Sequence, residues 1–560
     1  MSMITATTWV RRGVAAPFPE KYEIDEEEIN RISELAKLQL EDAKIDLKEA
    51  QEKDEEDGME VEEEEEEEEG GVATGESSGK GKEKEGSEDK KAGDDDDDLK
   101  EYDLDHYDSD IVDEDGEQVT MFGNIRSLAY HQPNEEDPYL VMPEGKDDED
   151  DDEREELQIL ATDNLLLAAK VEDEVAHMEV YVYEDEADNL YVHHDIMLPA
   201  IPLCLEWLDI PVGKSAESKT NGNFVAVGTM EPDIEIWDLD IVDCMYPNAI
   251  LGLGGQEQST TTTSSSKKKK TKKPHKSNDE YHVDSILALA ANRQHRNLLA
   301  SGSADKTVKL WDLNTTKCAK SYSNHTDKIC ALDWHPREST ILLSGSYDQT
   351  IVAADMRAPD SKAARWRVAS DVENVRWDPH DPNFFYVTTD TGLVYCHDVR
   401  SASASPEMAK PLWTLQAHDS SVSSFDVNPS IPGFLVTGST DKTVKLWSVV
   451  ENKPSMVVSR KMEVGKVFST NFAPDQEVSF RLAVAGSKGA MQVWDTSTNA
   501  AVRRTFASRL GAAGAMAEEG VKERLIGVVQ DDSDSDDEGE GAGAGGEGSE
   551  GRDGWESMEE

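Results

Sequence analysis

Short apolar runs recur along the chain from residue 234 onward, and six of them end in an aromatic residue or a substitute for it, usually followed by Asp. Counted at the aromatic position, the runs lie 74, 43, 43, 50 and 47 residues apart. The six are IEIWDL (234–239), VKLWDL (308–313), IVAADM (351–356), VYCHDV (394–399), VKLWSV (444–449) and MQVWDT (491–496). A repeat of roughly 40–45 residues with a Trp-Asp ending is typical of a WD-repeat β-propeller.

The repeat predicts an all-β fold, a seven-bladed propeller between residues 157 and 510. The first blade, 157–197, is degenerate because its three strand-like runs carry no Trp-Asp ending. Ala354 and His397 replace Trp in the fourth and fifth blades, so we expect less regular packing there. The other predicted blades are 198–245, 283–320, 325–357, 366–400, 412–450 and 461–506.

Polar residues recur at the positions that form the internal hydrogen-bond network of such a blade. Buried polar groups need partners of this kind, so we interpret these side chains as structural and not catalytic. The Asp lies in a tight turn, where it can accept hydrogen bonds from His and the backbone. The predicted network residues are His418, Thr437, Asp441 and Trp447 in blade six, Ser301, Asp305 and Trp311 in blade three, and His325, Ser344 and Asp348 in blade four.

No catalytic arrangement stands out in the sequence. It has no GxxxxGK[ST], no HExxH and no GxSxG with suitably spaced partners. His193-His194-Asp195 invites a metal interpretation, but a loop or strand-edge role explains it more simply. Five scattered cysteines without a CxxC pair predict neither a disulfide framework nor a zinc site. We therefore predict no enzymatic activity, no cofactor and no metal.

The formal net charge of −63 is concentrated outside the predicted propeller. Residues 157–510 hold 46 acidic and 36 basic side chains, whereas the remainder holds 73 acidic and 20 basic. Such acidic segments cannot bury enough apolar surface to offset chain entropy, so we expect 51–156 and the tail 511–560 to be disordered. The chain has neither a signal-peptide core nor an 18-residue apolar stretch, which predicts a soluble intracellular protein without membrane contact.

Two segments of the predicted N-terminal extension, 1–156, have patterns of their own. ITATTWV (4–10) is rich in β-branched residues and predicts a strand whose partner is either the propeller or another protein. Residues 25–50 carry apolar side chains at three- and four-residue steps and begin with a capping-box pattern, Asp25 with Glu28. This predicts a helix that either binds a partner or packs on the propeller.

Two short polar segments are candidate signals. The insertion 252–280 accounts for the 74-residue interval and belongs on an exposed loop. Its lysines predict a nuclear localisation signal, with contact to nucleic-acid phosphates or balancing of the acidic tails as alternatives. These are Lys267, Lys268, Lys269, Lys270, Lys272 and Lys273. In the tail, Ser533 and Ser535 lie among aspartates and are candidate phosphorylation sites for acid-directed kinases.

The opening ITATTWVRRGVA, the acidic helix after it and the irregularly spaced Trp-Asp repeats together resemble the periodic tryptophan protein 1 family. The resemblance is sharpest at residues 3–40 and 283–500 and extends loosely to VVQDDSDSDDE (528–538). It implies a nucleolar, non-enzymatic scaffold in large (60S) ribosomal subunit biogenesis and ribosomal RNA processing. The implied partners are the pre-60S particle, ribosomal RNA, assembly factors and ribosomal proteins.

Two other functions fit parts of the pattern. Acidic tracts that contact histones would make the protein a chromatin factor acting on ribosomal RNA gene transcription. Asp355-Met-Arg357 and Asp398-Val-Arg400, on consecutive blades, resemble the Asp-x-Arg ending of substrate receptors for cullin-type ubiquitin ligases. The same residues more often close a strand, so the ligase interpretation is the weaker of the two.

Overall fold

The computed structural model describes the propeller and little of the acidic extensions. The described residues are 2–22, 111–112, 118–119, 157–173, 175–213, 221–252, 278–358, 363–401, 410–509 and 522–527. The chain divides into two units, Met1–Tyr22 with Asp151–Glu560, and Glu23–Asp150. In the second unit, the described strands are the antiparallel pair Ile111–Val112 and Gln118–Val119. The predicted helix 25–50, the lysine cluster and both tail serines lie outside the described residues.

The first unit is a seven-bladed propeller, as the repeat predicted. Seven antiparallel sheets of four strands surround a central channel, and each blade has an inner, a second, a third and an outer strand. Neighbouring inner strands contact one another around the whole ring. In ring order, the inner strands are Ser2–Trp9, Pro202–Leu208, Ile286–Ala291, Ile329–Trp334, Val372–Trp377, Ser424–Val427 and Val467–Phe472.

The remaining strands complete the blades in the same order. The second strands are Asn164–Glu172, Phe224–Thr229, Leu298–Ser303, Ile341–Ser346, Phe384–Thr389, Phe434–Gly438 and Arg481–Gly486. The third strands are Val175–Glu184, Ile234–Asp238, Val308–Asp312, Thr350–Asp355, Leu393–Asp398, Thr443–Val450 and Met491–Asp495. The outer strands are Asn189–Leu198, Ala249–Leu251, Lys317–Tyr322, Ala364–Arg367, Trp413–Gln416, Lys453–Lys461 and Arg524–Gly527.

Few other elements accompany the blades. Glu20–Lys21 pairs in parallel with Ile241–Val242, and one short α-helix, Ala500–Phe506, packs beside the outer strand of blade six. Short 3-10 turns complete the described elements: Val399–Ser401, Gln476–Val478, Thr496–Thr498 and Ala507–Arg509. In the described part of the chain, no helix is long and apolar enough to cross a membrane.

Burial on both faces explains why the middle strands read as continuous apolar runs. Phe224–Thr229 (FVAVGT) and Met491–Asp495 (MQVWD) are buried at every position, because neighbouring blades cover both sides of each sheet. Outer strands are more open, and five of the nine residues of Lys453–Lys461 are exposed. Burial is therefore greatest in the middle strands of each blade and falls towards the outer edge.

The N-terminal segment is the inner strand of blade one. Ser2–Trp9 pairs antiparallel with Asn164–Glu172, in a register that joins Ser2 to Glu172 and Trp9 to Leu166. The partner of the predicted strand 4–10 is therefore the propeller. Blade one is complete. Its inner strand is the N-terminal segment Ser2–Trp9, and not LQIL (157–160), the first strand-like run of the predicted blade.

The outer strand of blade seven also comes from outside the predicted limits. Arg524–Gly527, which lies beyond the expected end at residue 510, pairs with the third strand from Gln492 to Asp495. The propeller thus starts at Ser2 and ends at Gly527, in place of the predicted limits of 157 and 510. A four-residue strand has too little periodicity to be recognised in sequence, because only its pairing with a neighbour defines it.

Side-chain hydrogen bonds close the ring where blade seven meets blade one. Thr7 Oγ1 lies 2.8 Å from Ser469 Oγ, and Trp9 Nε1 donates to Asn471 O at 3.0 Å. Arg12 pairs with Glu477 at 2.9 Å on the same side of the ring. On the other side of blade one, Thr5 Oγ1 donates to Pro202 O at 2.8 Å. The N-terminal strand therefore bonds to both neighbouring blades as well as to its own.

Trp9 provides a test of this arrangement. Its ring is 6% exposed, and packs against Tyr183. Trp9→Ala is expected to lower the free energy of unfolding by about 3–5 kcal/mol, because it removes a buried indole and leaves a cavity at the seam. The measurement is chemical denaturation of the full chain followed by circular dichroism. The control is Arg11→Ala at an exposed position; an equal, small effect of both variants would contradict the inner-strand assignment.

Candidate docking scaffold and its hydrogen-bond networks

Blades three and six contain complete networks of four side chains. In blade six, His418 Nδ1 lies 2.9 Å from Asp441 Oδ2 and His418 Nε2 lies 2.8 Å from Thr437 Oγ1. Trp447 Nε1 donates to the same hydroxyl at 2.9 Å. In blade three the equivalent distances are 2.9, 2.6 and 2.8 Å, among His282, Asp305, Ser301 and Trp311. These contacts join the outer loop, the tight turn and two strands of one blade.

The protonation states of the His and the Asp fix the direction of the hydrogen bonds in each network. Burial lowers the pKa of His418 and His282 below the usual histidine value, even though each faces an aspartate. Burial is the largest effect on Asp305 and raises its pKa, but the hydrogen bond and charge of His282 and the hydrogen bonds from Thr307 together outweigh it and lower this pKa to about 2. At neutral pH the histidine is therefore neutral and the aspartate charged. The indole then donates to the hydroxyl, the hydroxyl to Nε2, and Nδ1–H to the carboxylate.

Blade four keeps most of this network without an indole. His325 lies 3.2 Å from Asp348 Oδ2 and 2.8 Å from Ser344 Oγ. Ala354 occupies the Trp position, is buried, and pairs with Leu342 across the sheet. The blade remains a regular four-stranded sheet, so the irregular packing that we expected there is not seen. The tight turn keeps its conformation because Asp348 also accepts hydrogen bonds from Thr350 N and Oγ1.

Blade five has replaced the network with aromatic packing. His397 is fully buried and stacks on Phe385, with ring centroids 5.3 Å apart and planes at 18°. Neither ring nitrogen of His397 has a hydrogen-bond partner in the described structure. Burial lowers its pKa to about 4. The position that holds Ser or Thr in blades three, four and six is Val387 here, so no hydroxyl is available. The sheet is nevertheless regular.

A second set of hydrogen bonds links neighbouring blades on the face where inner strands turn into second strands. Asn292 Nδ2 donates to Ser339 O at 2.6 Å, and Asn428 Nδ2 donates to Ser479 O at 2.7 Å. His335 Nε2 lies 3.0 Å from Pro382 O. The same side chains accept from backbone N–H groups of their own turns, as in Asn428 Oδ1 with Ile431 N. Each turn is thereby fixed internally and to the next blade.

The channel opens on this face through a cavity of about 330 Å³. Charged side chains near the ends of the inner strands line it, among them Glu206, Asp333, Arg376 and Asp426. Arg376 lies 3.8 Å from Asp333 and 4.0 Å from Asp426. A second cavity in the channel, of about 360 Å³, shares Glu206 and Arg376 with the first and is also lined by Glu373.

The carboxylates in the channel act between blades. Asp333 Oδ2 accepts from Trp377 N at 2.6 Å, Asp426 Oδ2 from Phe472 N at 2.8 Å, and Glu206 Oε1 from Ala291 N at 3.1 Å. Burial and the other carboxylates raise the pKa of Asp333 to about 6, against the opposing effect of Arg376. A shifted carboxyl is a possible acid–base group. Here its oxygens are engaged in structural bonds, and among the described residues no group of three His, Cys, Asp or Glu could hold a metal.

The two Asp-x-Arg endings have a local explanation. Arg357 donates to both oxygens of Asp355, at 3.1 and 2.9 Å, and Arg400 to both oxygens of Asp398, at 2.9 and 2.7 Å. Each aspartate also accepts from the backbone N–H of its own arginine. Turn closure therefore accounts for this motif without an external partner, although both guanidinium groups remain exposed.

Sequence reasoning missed one member of the blade-three network and all of the channel charges. His282 precedes Asp305 by 23 residues, the same spacing as His325 to Asp348 and His418 to Asp441. That spacing could have identified it. The charged channel residues show no comparable spacing in the sequence, because they become neighbours only when the seven inner strands surround one axis. The lysine cluster 267–273, Ser533 and Ser535 are outside the described residues, so their predicted roles stay predictions.

The comparisons with known proteins agree with this architecture. The family model for the WD domain, G-beta repeat, matches residues 275–312, 316–352 and 409–448. An uncharacterised WD repeat-containing protein of Schizosaccharomyces pombe is 48% identical over 91% of this chain and 92% of its own length. Periodic tryptophan protein 1 of Saccharomyces cerevisiae is 38% identical over 92% of both chains. The chain belongs to the periodic tryptophan protein 1 family.

A periodic tryptophan protein 1 homologue of Drosophila melanogaster is 29% identical over 72% of this chain and 83% of its own length. The matched length of the two fungal relatives exceeds the three segments that the WD model covers. Membership of the periodic tryptophan protein 1 family therefore concerns nearly the whole chain and not only the Trp-Asp repeats.

His397 and His418 provide a matched pair for testing the networks. His418→Leu is expected to lower the free energy of unfolding by about 2–4 kcal/mol, because the part-buried Asp441 and the buried Thr437 each lose one hydrogen bond that leucine cannot replace. His397→Leu should be neutral or stabilise by about 1 kcal/mol, because it removes two unsatisfied nitrogens. Chemical denaturation measures both. A loss at 397 as large as that at 418 would mean that His397 has a hidden partner.

The same pair predicts a pH effect. The folded-state pKa of His397, about 4, lies below the ordinary value for a free histidine. The unfolded chain therefore binds the proton first, and the fold loses stability as pH falls from about 6.5 to about 4. His397→Leu should make the melting temperature fall less over that interval. An unchanged pH dependence of the melting temperature in His397→Leu would contradict a difference in the pKa of His397 between the folded and unfolded chain.

Proposed function

We propose that the protein is a non-enzymatic scaffold in the assembly of the large (60S) ribosomal subunit and in ribosomal RNA processing. It docks through its propeller onto the pre-60S particle, binding ribosomal RNA, assembly factors and ribosomal proteins. The observation that carries this proposal is membership of the periodic tryptophan protein 1 family over nearly the full chain. A rigid ring joined to long charged segments suits a scaffold, because tethered segments raise the effective concentration of their partners.

The side-chain chemistry supports a binding role. The polar residues that looked chemical in sequence hold blades together, and the channel carboxylates accept backbone hydrogen bonds between blades. None of these groups lies beside an available nucleophile in a way that would suit catalysis. The function is accordingly assigned to surfaces and charged segments, and the expected partners do not include a membrane.

Depletion of the protein from cells tests the proposal. Mature large subunits should fall and precursor ribosomal RNA should accumulate, as measured by sucrose-gradient sedimentation and RNA blotting. Re-expression of the full chain should restore both, whereas the Trp9→Ala variant should restore them less, because its ring is destabilised. Unchanged precursor levels after depletion would contradict the proposal.

The lysine insertion tests the proposed location, the nucleus and within it the nucleolus. Replacing Lys267, Lys268, Lys269, Lys270, Lys272 and Lys273 by Ser should shift a fluorescent fusion towards the cytoplasm, because import receptors read clustered lysines in exposed segments. Fusing an unrelated import signal to this variant should restore nuclear entry. Nuclear accumulation of the variant without that signal would contradict the assignment.

A chromatin role is the second candidate. One relative, histone acetyltransferase type B subunit 2 of Candida glabrata, is 25% identical over 39% of this chain, and the acidic segments suit basic partners such as histones. Affinity purification after nuclease treatment separates the candidates. A ribosomal scaffold should lose its main partners after RNase, whereas a chromatin factor should lose them after DNase.

A further inference from the structure

The outer strands of blades three to seven carry charge of one sign. The outer strands of blades three to seven hold eight Lys or Arg residues and no Asp or Glu. By contrast, the outer strands of blades one and two hold no Lys or Arg. The eight are Lys317, Lys320, Arg365, Arg367, Lys453, Arg460, Lys461 and Arg524. The strongly acidic chain thus folds into a ring with a basic arc.

Three of the arginines have structural roles. Arg365 donates to Asn324 O at 2.6 Å, and Arg460 pairs with Glu523 at 2.9 Å and lies over the ring of Trp494. Arg524 contacts Asp188 and lies 3.9 Å from Asp495. These side chains stabilise the ring and contribute little to an external site.

The lysines of the arc are different. Lys317 and Lys320 in blade three, and Lys453 and Lys461 in blade six, are exposed and make no ion pair with any described residue. Lys317 lies opposite Asp312 in its sheet, near one face of the ring, whereas Lys461 lies opposite Thr443, near the other. The available lysines therefore form two groups, one on blade three and one on blade six, and together they reach both faces of the ring.

Protection of an exposed sheet edge is the simplest alternative explanation. Lysines on edge strands discourage unwanted pairing with other strands. Residues 283–510 contain 24 acidic against 26 basic side chains. The outer strands of blades three to seven nevertheless contain basic and no acidic residues, which edge protection alone does not require.

We infer that the outer edges of blades three and six bind the phosphate backbone of RNA. The inference rests on the proposed function, which supplies ribosomal RNA as the ligand, and it specifies the surface that makes contact. A polymer with regularly spaced phosphates can follow an arc of separated lysines, each contact releasing counterions. An arc of separated ammonium groups positions a backbone and does not read bases, so binding depends on charge and shape.

An acidic protein segment fits this edge less well. Such a segment would gain most of its affinity by adding a strand to the blade. The outer strand of blade six, Lys453–Lys461, resists that addition, because Pro454 has no N–H and lysines stand at both ends. Charge contacts without main-chain pairing are what a nucleic-acid backbone requires.

The test compares two full-length variants with equal changes in charge. The arc variant carries Lys317→Glu, Lys320→Glu, Lys453→Glu and Lys461→Glu. The control carries Lys328→Glu, Lys442→Glu, Lys466→Glu and Lys488→Glu, which are exposed positions in the loops and turns between strands. Both are titrated against a fluorescent 30-base-pair RNA duplex and a 30-nucleotide single strand by anisotropy, between 50 and 200 mM salt. Circular dichroism confirms that each is folded.

The arc variant is expected to lose at least about tenfold in affinity at 100 mM salt. Its slope of log K against log salt should fall by about 3, because four phosphate contacts are lost. The control should change by less than about threefold. Equal loss in both variants would overturn the inference, since net charge alone would then explain binding. Displacement by a 30-residue poly-glutamate peptide as strong as that by RNA would also overturn it.

Sedimentation in cells separates this inference from the proposed function. If the arc variant loses RNA in vitro but still travels with pre-60S particles, protein contacts hold it there and the RNA assignment of the arc stands by the binding data. If the wild-type chain binds RNA through the arc but never sediments with those particles, the proposed function fails while the inference holds. If the wild-type chain sediments with pre-60S particles but the arc variant binds RNA as tightly as the wild type, the inference fails and the proposed function stands.

Discussion

Closure of the ring between blades seven and one is the constraint on which the rest of the structure depends. Every blade is a sheet buried on both faces, so each needs a neighbour on either side. Ser2–Trp9 meets that need at the seam, where it pairs with Asn164–Glu172 and bonds to blades two and seven through Thr5 and Thr7. Without this strand, blade one would lack its innermost row and two blade faces would lie open to water. Docking surfaces have fixed geometry only because the circle is complete.

Within the ring, several partly redundant sets of hydrogen bonds keep each blade in its regular four-stranded form. Blade three and blade six use full networks of His, Asp, hydroxyl and Trp, while blade four omits the indole and blade five omits the network. Bonds between blades, from the turns and from the channel carboxylates, continue around the positions where a network is missing. Since each blade is held both internally and by its neighbours, loss of one device does not distort the sheet. This redundancy explains how Ala354 and His397 are tolerated.

Local patterns in the sequence predicted the repeat, the blade number and most network residues, because each blade repeats the same chemistry at a similar spacing. The predicted limits of the propeller were wrong where the fold pairs strands that are distant in the sequence. The inner strand of blade one lies 155 residues before its partner strand begins, and Arg524–Gly527 is too short to be recognised alone. Glu206, Asp333, Arg376 and Asp426 were equally invisible, because they meet only around the channel axis. Charge on the outer edge could be counted only once the outer strands were known.

The origin of the innermost strand has a consequence for biosynthesis. Ser2–Trp9 leaves the translating ribosome before its partner Asn164–Glu172, which follows more than 150 residues later. At about 5–20 residues per second, the apolar segment waits unpaired for on the order of ten seconds or more. The intervening stretch is densely anionic, including Glu62–Glu69 and Asp94–Asp98, and repels other nascent chains of the same kind during that wait. We therefore expect the acidic extension to keep the unfinished fold soluble.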